Sequence, residues 1–170
     1  MRSQLARLAR TSVPLAWRGA AHRHVFYRLS PLFYGLAGCF MAHVERGKQH
    51  AIPYEEVVWM TQTVLTYMSD VHTLGADSGW HAADRIHAYT FTVLRAALTM
   101  YIGVALGAYS SLQMGVFVVG LAVSLVCIRL SWMAVMRRDR DRFFLWHALW
   151  HTGLPLTAVL IATLELAGFG

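Results

Sequence analysis

Charge and cysteine are scarce in this chain of 170 residues, and each shortage excludes a class of protein. Charged residues make up 14% of the sequence and hydrophobic residues 56%, and the mean hydropathy is +0.43. Those values are too apolar for a typical soluble domain and indicate an integral membrane protein. The two cysteines, Cys39 and Cys127, lie in apolar runs and provide neither a disulfide framework nor a CxxC metal motif.

Acidic residues are missing from the N-terminal part of the chain, where the first one is Glu45. Residues 1–24 carry five arginines and lack the long apolar run of a secretory signal. This composition is typical of a mitochondrial targeting segment, and also of the basic flank of a membrane helix. We expect residues 1–24 to form a basic amphipathic arm that is retained and held by contacts. No basic patch is interleaved with aromatic residues, so nucleic acid is not an expected partner.

Five apolar segments follow the arm, at about 29–44, 57–74, 96–109, 112–130 and 143–166. The fifth contains Pro155, which a membrane helix tolerates as a kink. The second is diluted by threonine and glutamine and should be shielded from lipid by its neighbours. The sequence therefore predicts an all-α bundle of about five transmembrane helices, with residues 25–170 forming one domain.

Positive charge is concentrated on one side of this predicted bundle. With five spans, the N-terminal arm, the loop at 72–85 and the arginine-rich run 137–142 all share that side. The positive-inside rule then places the N-terminus inside and the C-terminus outside. Combined with the arm, this predicts a mitochondrial inner-membrane protein whose arginine-rich face lies in the matrix and contacts anionic lipids.

A histidine pair, His147 and His151, stands at the start of the fifth segment. The two residues are one helical turn apart, so their imidazoles project from the same face. Polar groups at membrane depth are expensive and usually functional, and two histidines at this spacing can supply half of a metal site. The alternative is that they are packing and interface residues, because the chain carries nine histidines in all.

Further polar groups are expected on the same side of the membrane as the histidine pair. The second segment ends there with Ser69, Asp70 and His72, and the third begins there with Asp84. This convergence is independent of the spacing within the pair, and it favours a metal or catalytic site. Two simpler roles stay open: Asp84 as an acid at a helix N-terminus, and Ser69 as a hydroxyl bonded to the backbone.

At these positions the chain resembles the CREST superfamily of membrane hydrolases, which includes alkaline ceramidases, progestin and adiponectin receptors and myomaker-like proteins. That family carries a serine and a histidine near the end of its second helix, an aspartate at the start of the third, and HxxxH entering the last. The matching residues here are Ser69, His72, Asp84, His147 and His151. The resemblance implies that the three histidines bind zinc and that Asp84 and Ser69 support catalysis. The chain departs from the family in having room for five helices rather than seven.

Two functions remain open on these grounds. The one that we favour from the sequence is a multi-pass accessory subunit of a mitochondrial inner-membrane assembly, such as a respiratory-chain complex. It would be built on a CREST-like bundle with a vestigial or active zinc site, and other membrane subunits would be its partners. The alternative is a zinc-dependent intramembrane amidase or esterase that acts on a lipid substrate.

Overall fold

The computed structural model describes residues 2–44 and 55–168, with side chains from residue 6 onward. All regular structure in these two stretches is helical, which confirms the predicted all-α class. The loop at 45–54, which contributes to the predicted charge difference between the two faces of the bundle, lies outside the described residues.

The described chain forms eight α-helices and three helical segments of other types. The α-helices are α1 Arg2–Ala9, α2 Arg18–Ala21, α3 Val25–Leu29, α4 Leu32–Val44, α5 Glu55–Thr66, α6 Gly79–Met100, α7 Ser111–Met136 and α8 Arg140–Leu166. The other segments are a 3₁₀ turn, Leu15–Trp17, and two π-helices, Tyr67–His72 and Tyr101–Ala105. The π-helices extend α5 and α6 respectively.

Within the described residues, three helices are long and apolar enough to cross a membrane: Gly79–Ala105, Ser111–Met136 and Arg140–Leu166. They are consistent with an integral membrane protein. Helix α4 has 13 residues, which gives a length of about 20 Å against a hydrocarbon thickness of about 30 Å. The predicted five spans and the predicted orientation therefore stay predictions.

The long helices pack in two pairs that α4 joins. Helices α7 and α8 form an antiparallel hairpin, α6 packs against α5, and α4 packs against both α5 and α8. Direct packing between α6 and α7 is sparse, since each of them lies mainly against its own partner. Helices α6 and α7 therefore make few direct contacts with each other.

Small residues allow α7 and α8 to approach closely. A Cβ atom added at Gly120 of α7 would lie 2.0 Å from Thr157 Oγ1 of α8, and one added at Gly153 of α8 would lie 2.3 Å from Ser124 Oγ of α7. Close approach through small residues is a common way for membrane helices to pack, because dispersion contacts replace the hydrophobic effect there. This hairpin fixes α8, and with it the histidine pair.

Gly120→Ala should destabilise the protein by about 1–3 kcal/mol through overpacking. The added Cβ would also lie 2.6 Å from Thr157 Cγ2 and 2.8 Å from Thr157 Cβ, so turning the threonine side chain cannot relieve the contact. Thermal unfolding in detergent measures the effect. Gly115→Ala on the same helix is the matched control, because nothing lies within 4 Å of its added Cβ. Equal stability of the two variants would contradict the packing described here.

The N-terminal arm is bound by the rest of the described chain. Arg85 of α6 donates from Nη1 to the carbonyl oxygens of Leu8 at 2.6 Å and Arg10 at 2.7 Å. The backbone N–H of Thr11 donates to Asp77 Oδ1 at 3.0 Å. A guanidinium at the end of α1 satisfies carbonyls that have no partner within the helix. These bonds hold the arm across the start of α6.

Candidate metal site

Asp70, His147 and His151 form a compact group at the end of the bundle that the sequence predicts to be polar. Asp70 Oδ2 lies 2.7 Å from His147 Nε2 and 3.2 Å from His151 Nε2. One ligand atom from each of the three residues lies within 4.8 Å of the others, so the group could hold a metal ion. His151 is buried, and the other two side chains are about 15% exposed.

Two helices bring these side chains together. His147 and His151 occupy successive turns of α8 and face the same way, as their spacing predicts. Asp70 lies in the π-helix Tyr67–His72, a wide type of turn that is rare and often found at functional sites. Tyr27 donates its phenolic proton to the Asp70 carbonyl at 2.8 Å, which fixes this turn against α3. Burial, together with the nearby Asp70 and Asp84 charges, raises the pKa of Tyr27 well above its usual range, so the phenol keeps this proton.

The second ring nitrogen of each histidine also has a partner. Ser131 Oγ of α7 lies 2.9 Å from His147 Nδ1, and Ser30 Oγ lies 3.0 Å from His151 Nδ1. Both serines are buried. Metal-binding histidines almost always have their other ring nitrogen held in this way, since the bond fixes the ring orientation and the tautomer.

The hydrogen bonds of Ser30 determine which nitrogen of His151 carries the proton. Ser30 donates its single hydroxyl proton to the Tyr27 carbonyl at 2.8 Å. It can therefore only accept from His151, so the His151 proton sits on Nδ1. In the neutral imidazole, Nε2 then presents a lone pair towards the Asp70 carboxylate, 3.2 Å away. Two lone pairs that face each other at this distance require a cation or a proton between them.

The three residues offer a donor set that could hold a divalent metal ion, and two of its separations can be compared with those of a zinc site. In a tetrahedral zinc site with bonds of about 2.0–2.2 Å, ligand atoms lie about 3.3 Å apart. The distance of 3.2 Å between His151 Nε2 and Asp70 Oδ2 is close to this value. The distance of 2.7 Å between His147 Nε2 and Asp70 Oδ2 is shorter, so these two atoms would have to move apart by about 0.6 Å to share a zinc ion. Two imidazoles with one carboxylate also occur in catalytic zinc sites, which leave a fourth position for water or substrate.

Ser69, a predicted catalytic residue, links this group to another histidine. Its Oγ lies 2.8 Å from Asp70 Oδ1 and 2.7 Å from His81 Nδ1, while His81 Nε2 lies 3.0 Å from the Ala76 carbonyl. The carbonyl requires a proton on Nε2, so the hydroxyl of Ser69 has one proton for two acceptors. Ser69 thus connects Asp70 to His81.

Asp84, the other predicted catalytic residue, lies on α6 at the wall of the same cavity as the three-residue group. Its Oδ1 accepts from Gln62 Nε2 and from Thr66 Oγ1, both at 2.7 Å. Gln62 and Thr66 are buried, so these two polar residues of the second apolar segment are used inside the bundle. Among the described residues, no hydrogen bond to Asp84 Oδ2 is present.

The structure does not bring the third predicted zinc ligand, His72, to the histidine pair. The His72 side chain is exposed, and its backbone carbonyl accepts a hydrogen bond from Arg18. The reason is helical geometry, because residues two apart on a helix point in different directions. With Asp70 directed into the bundle, His72 points out of it. Asp70 takes the place that the CREST resemblance gives to a histidine.

The residues that sequence reasoning missed are partners supplied by distant parts of the chain. His81, Ser30 and Ser131 carry no local motif, and Ser30 is 121 residues from its histidine. Asp70 did have a signal in the sequence. It stands next to Ser69 in the polar cluster that the sequence predicts, and carboxylates are among the ligands that zinc takes in proteins.

A cavity of about 630 Å³ opens onto the group. Asp70, His147 and His151 line it, together with residues of α6, of α7 and of the N-terminal arm. The volume lies in the range of small-molecule sites. The three-residue group is therefore reachable from a space large enough for a ligand.

Ser30→Ala should weaken metal binding by about 10–100-fold, because the proton on His151 Nδ1 would lose its acceptor. The measurement is a competition titration of the purified protein with a chromogenic zinc chelator. Ser111→Ala is the matched control, since Ser111 is exposed at the opposite end of α7. An unchanged affinity in Ser30→Ala would contradict the assigned tautomer.

Comparison with protein-family models, with characterised proteins and with solved structures finds no match to this chain. The resemblance to the CREST superfamily therefore depends on the residues quoted above.

Proposed function

We propose that this protein is a membrane-embedded zinc hydrolase whose metal is held by Asp70, His147 and His151. The observation that carries the proposal is the His151 Nε2 lone pair that faces the Asp70 carboxylate at 3.2 Å. A divalent cation between these atoms would satisfy both. The buried serines behind the two rings support the same interpretation, since they hold the imidazoles in position before any ion binds.

A zinc ion at this position would act as a Lewis acid and make water a nucleophile near neutral pH. The reaction that suits it is hydrolysis of an ester or amide. Water adds to the carbonyl carbon, the bond to the alcohol or amine breaks, and the leaving group departs with a proton. The zinc itself, the hydrolytic chemistry and the CREST relationship are all parts of the proposal.

Asp84 is the proposed base of this reaction. It lines the cavity, and Gln62 and Thr66 hold its Oδ1, so Oδ2 is left for the proton of the attacking water. Ser69 is proposed as a positioning residue. Its hydroxyl bonds to Asp70 Oδ1 and so helps to direct the other oxygen, Oδ2, to the histidines.

The substrate is proposed to reach the site from the bilayer through the interval between α6 and α7. Tyr89 of α6 and Trp132 of α7 line the cavity and are 62% and 48% exposed. Apolar residues on the outer faces of both helices are also exposed, as lipid contact requires. We place the protein in the mitochondrial inner membrane with five spans and its arginine-rich side in the matrix, in line with the expectation from the sequence.

The accessory-subunit role stays as a second candidate because of one feature of α5. Val57, Met60, Thr61 and Val64 recur at helical spacing and are all exposed, which gives α5 a stripe suited to another membrane helix. In that role the protein would have other membrane subunits as partners. A subunit of a larger assembly could also bind a metal, so metal content does not distinguish the two candidates. A measurement of substrate turnover does.

The proposed function is tested by metal content and turnover of the purified protein. We expect about one zinc per chain, together with hydrolysis of a lipid ester or amide that chelation removes and added zinc restores. A protein with zinc but no turnover on a panel of esters and amides would favour the accessory role. A protein that is folded and binds no zinc would overturn the proposal.

A further inference from the structure

Four arginines line the cavity that opens onto Asp70, His147 and His151. They come from the N-terminal arm, from α6 and from α7: Arg7, Arg10, Arg85 and Arg129. We call this set the arginine rim. In the described part of the chain, none of the four forms an ion pair with a carboxylate. Their charge is therefore available to a ligand.

The charge balance of the cavity favours an anion. The only carboxylates that line it, among the described residues, are Asp70 and Asp84. The lining thus contains four arginines and two carboxylates, and a bound divalent metal would increase the excess of positive charge. Guanidinium groups bind phosphate oxygens in a planar, two-pronged way that suits a lipid phosphate.

Two of the four arginines are held in place by contacts. The guanidinium of Arg129 stacks over the ring of Trp132, with 4.6 Å from Cζ to the ring centroid. Arg85 holds the arm through the Leu8 and Arg10 carbonyls, so the arm and α6 form one wall of the cavity. Arg85 of α6 and Arg129 of α7 therefore line the cavity with their guanidinium groups held by neighbouring residues.

We infer that the cavity binds an anionic phospholipid whose phosphate lies at the arginine rim and whose acyl carbonyl lies at the Asp70–His147–His151 group. The inference rests on the proposed function for the identity of the cavity as the substrate site. The arginine rim selects the head-group charge, while the opening between α6 and α7 leaves the acyl chains in the bilayer. The N-terminal arm thus contributes part of the binding site.

The test is calorimetric titration of the detergent-solubilised protein with three matched probes. Dioctanoyl phosphatidate supplies a lipid phosphate, dioctanoylglycerol supplies the same chains without charge, and glycerol phosphate supplies the anion without chains. We expect phosphatidate to bind at least about tenfold more tightly than either of the others, because charge-assisted bonds and chain burial act together.

Substitutions show whether the arginine rim binds the phosphate of phosphatidate. Arg129→Gln and Arg10→Gln should each weaken phosphatidate binding by about tenfold. Arg137→Gln is the matched control, since Arg137 is exposed beyond the cavity near the same end of α7 and should change binding less than about twofold. Both rim arginines are exposed, so their loss should leave the fold intact.

Three results of these titrations would contradict the proposed binding of an anionic phospholipid at the arginine rim. Equal binding of dioctanoylglycerol would overturn the head-group selection, and equal binding of glycerol phosphate would show that the ligand is a soluble anion. An equal loss in Arg137→Gln would show non-specific attraction only. Asp70→Asn separates this inference from the proposed function, since the arginine rim should still bind phosphatidate in that variant although the metal is lost.

Discussion

Asp70→Asn should lower zinc affinity by more than about 100-fold, whereas His72→Ala should leave it unchanged. Loss of an outer partner alone costs about 10–100-fold, and here a ligand itself is removed. The amide keeps the shape of the carboxylate but loses its charge, and the two imidazoles that remain are too few for a stable site. Zinc content after dialysis and competition with a chelator measure the effect.

Comparing Asp70→Asn with His72→Ala also shows which of the two residues is the third metal ligand. The CREST pattern assigns the third ligand to His72, and the structure places Asp70 against the histidines while His72 is exposed. Loss of zinc in His72→Ala with retention in Asp70→Asn would contradict the site described here. Unfolding temperatures of both variants would be compared with that of the unsubstituted protein, because Asp70 is largely buried.

Asp84→Asn should reduce turnover by about 10²–10⁴-fold while zinc remains bound. Asp84 lines the cavity but is not part of the three-residue group, and its Oδ1 is held by Gln62 and Thr66. An asparagine can retain the contact with Thr66 but cannot accept the proton of the attacking water. The decisive measurement is the initial rate of lipid ester or amide hydrolysis at saturating zinc.

Asp141→Asn is the matched control for Asp84→Asn, since Asp141 is exposed near the start of α8. Its rate should equal that of the unsubstituted protein. Loss of zinc from Asp84→Asn would show that Asp84 is a ligand. Full turnover in that variant would remove Asp84 from the proposed mechanism.

The sequence alone predicted the helical class and the most informative part of the site. Low charge and high hydropathy predicted membrane helices, and three of the described helices are long and apolar enough to span. The spacing of His147 and His151 predicted that they share a face, because helical periodicity is a local property. Their burial beside Asp70 agrees with that prediction.

Sequence spacing could not identify Asp70 as the third member of the group. The choice between Asp70 and His72 depends on how the end of α5 is turned, and the chain there forms a π-helix. A shift of this kind rotates every later residue relative to an α-helix. The spacing of a motif in another family does not predict this rotation.

The serine partners of the histidines and the arginine rim could not be predicted from the sequence. Ser30 and Ser131 meet their histidines through packing of α8 against the start of α4 and against α7. The arm was predicted as a separate basic segment, and its contacts with Asp77 and Arg85 are formed between residues more than 60 positions apart. Contacts of this kind follow from the assembled bundle and have no periodic signature.

X-ray absorption at the zinc edge of the purified protein identifies the ligands of the proposed metal. A site built from Asp70, His147 and His151 should give two imidazole nitrogens at about 2.0–2.1 Å and one carboxylate oxygen at about 2.0–2.2 Å, with a further oxygen from water. The Asp70→Asn variant should give no zinc signal above background. A protein without zinc, or a spectrum with three imidazole ligands and no carboxylate, would contradict a site built from Asp70, His147 and His151.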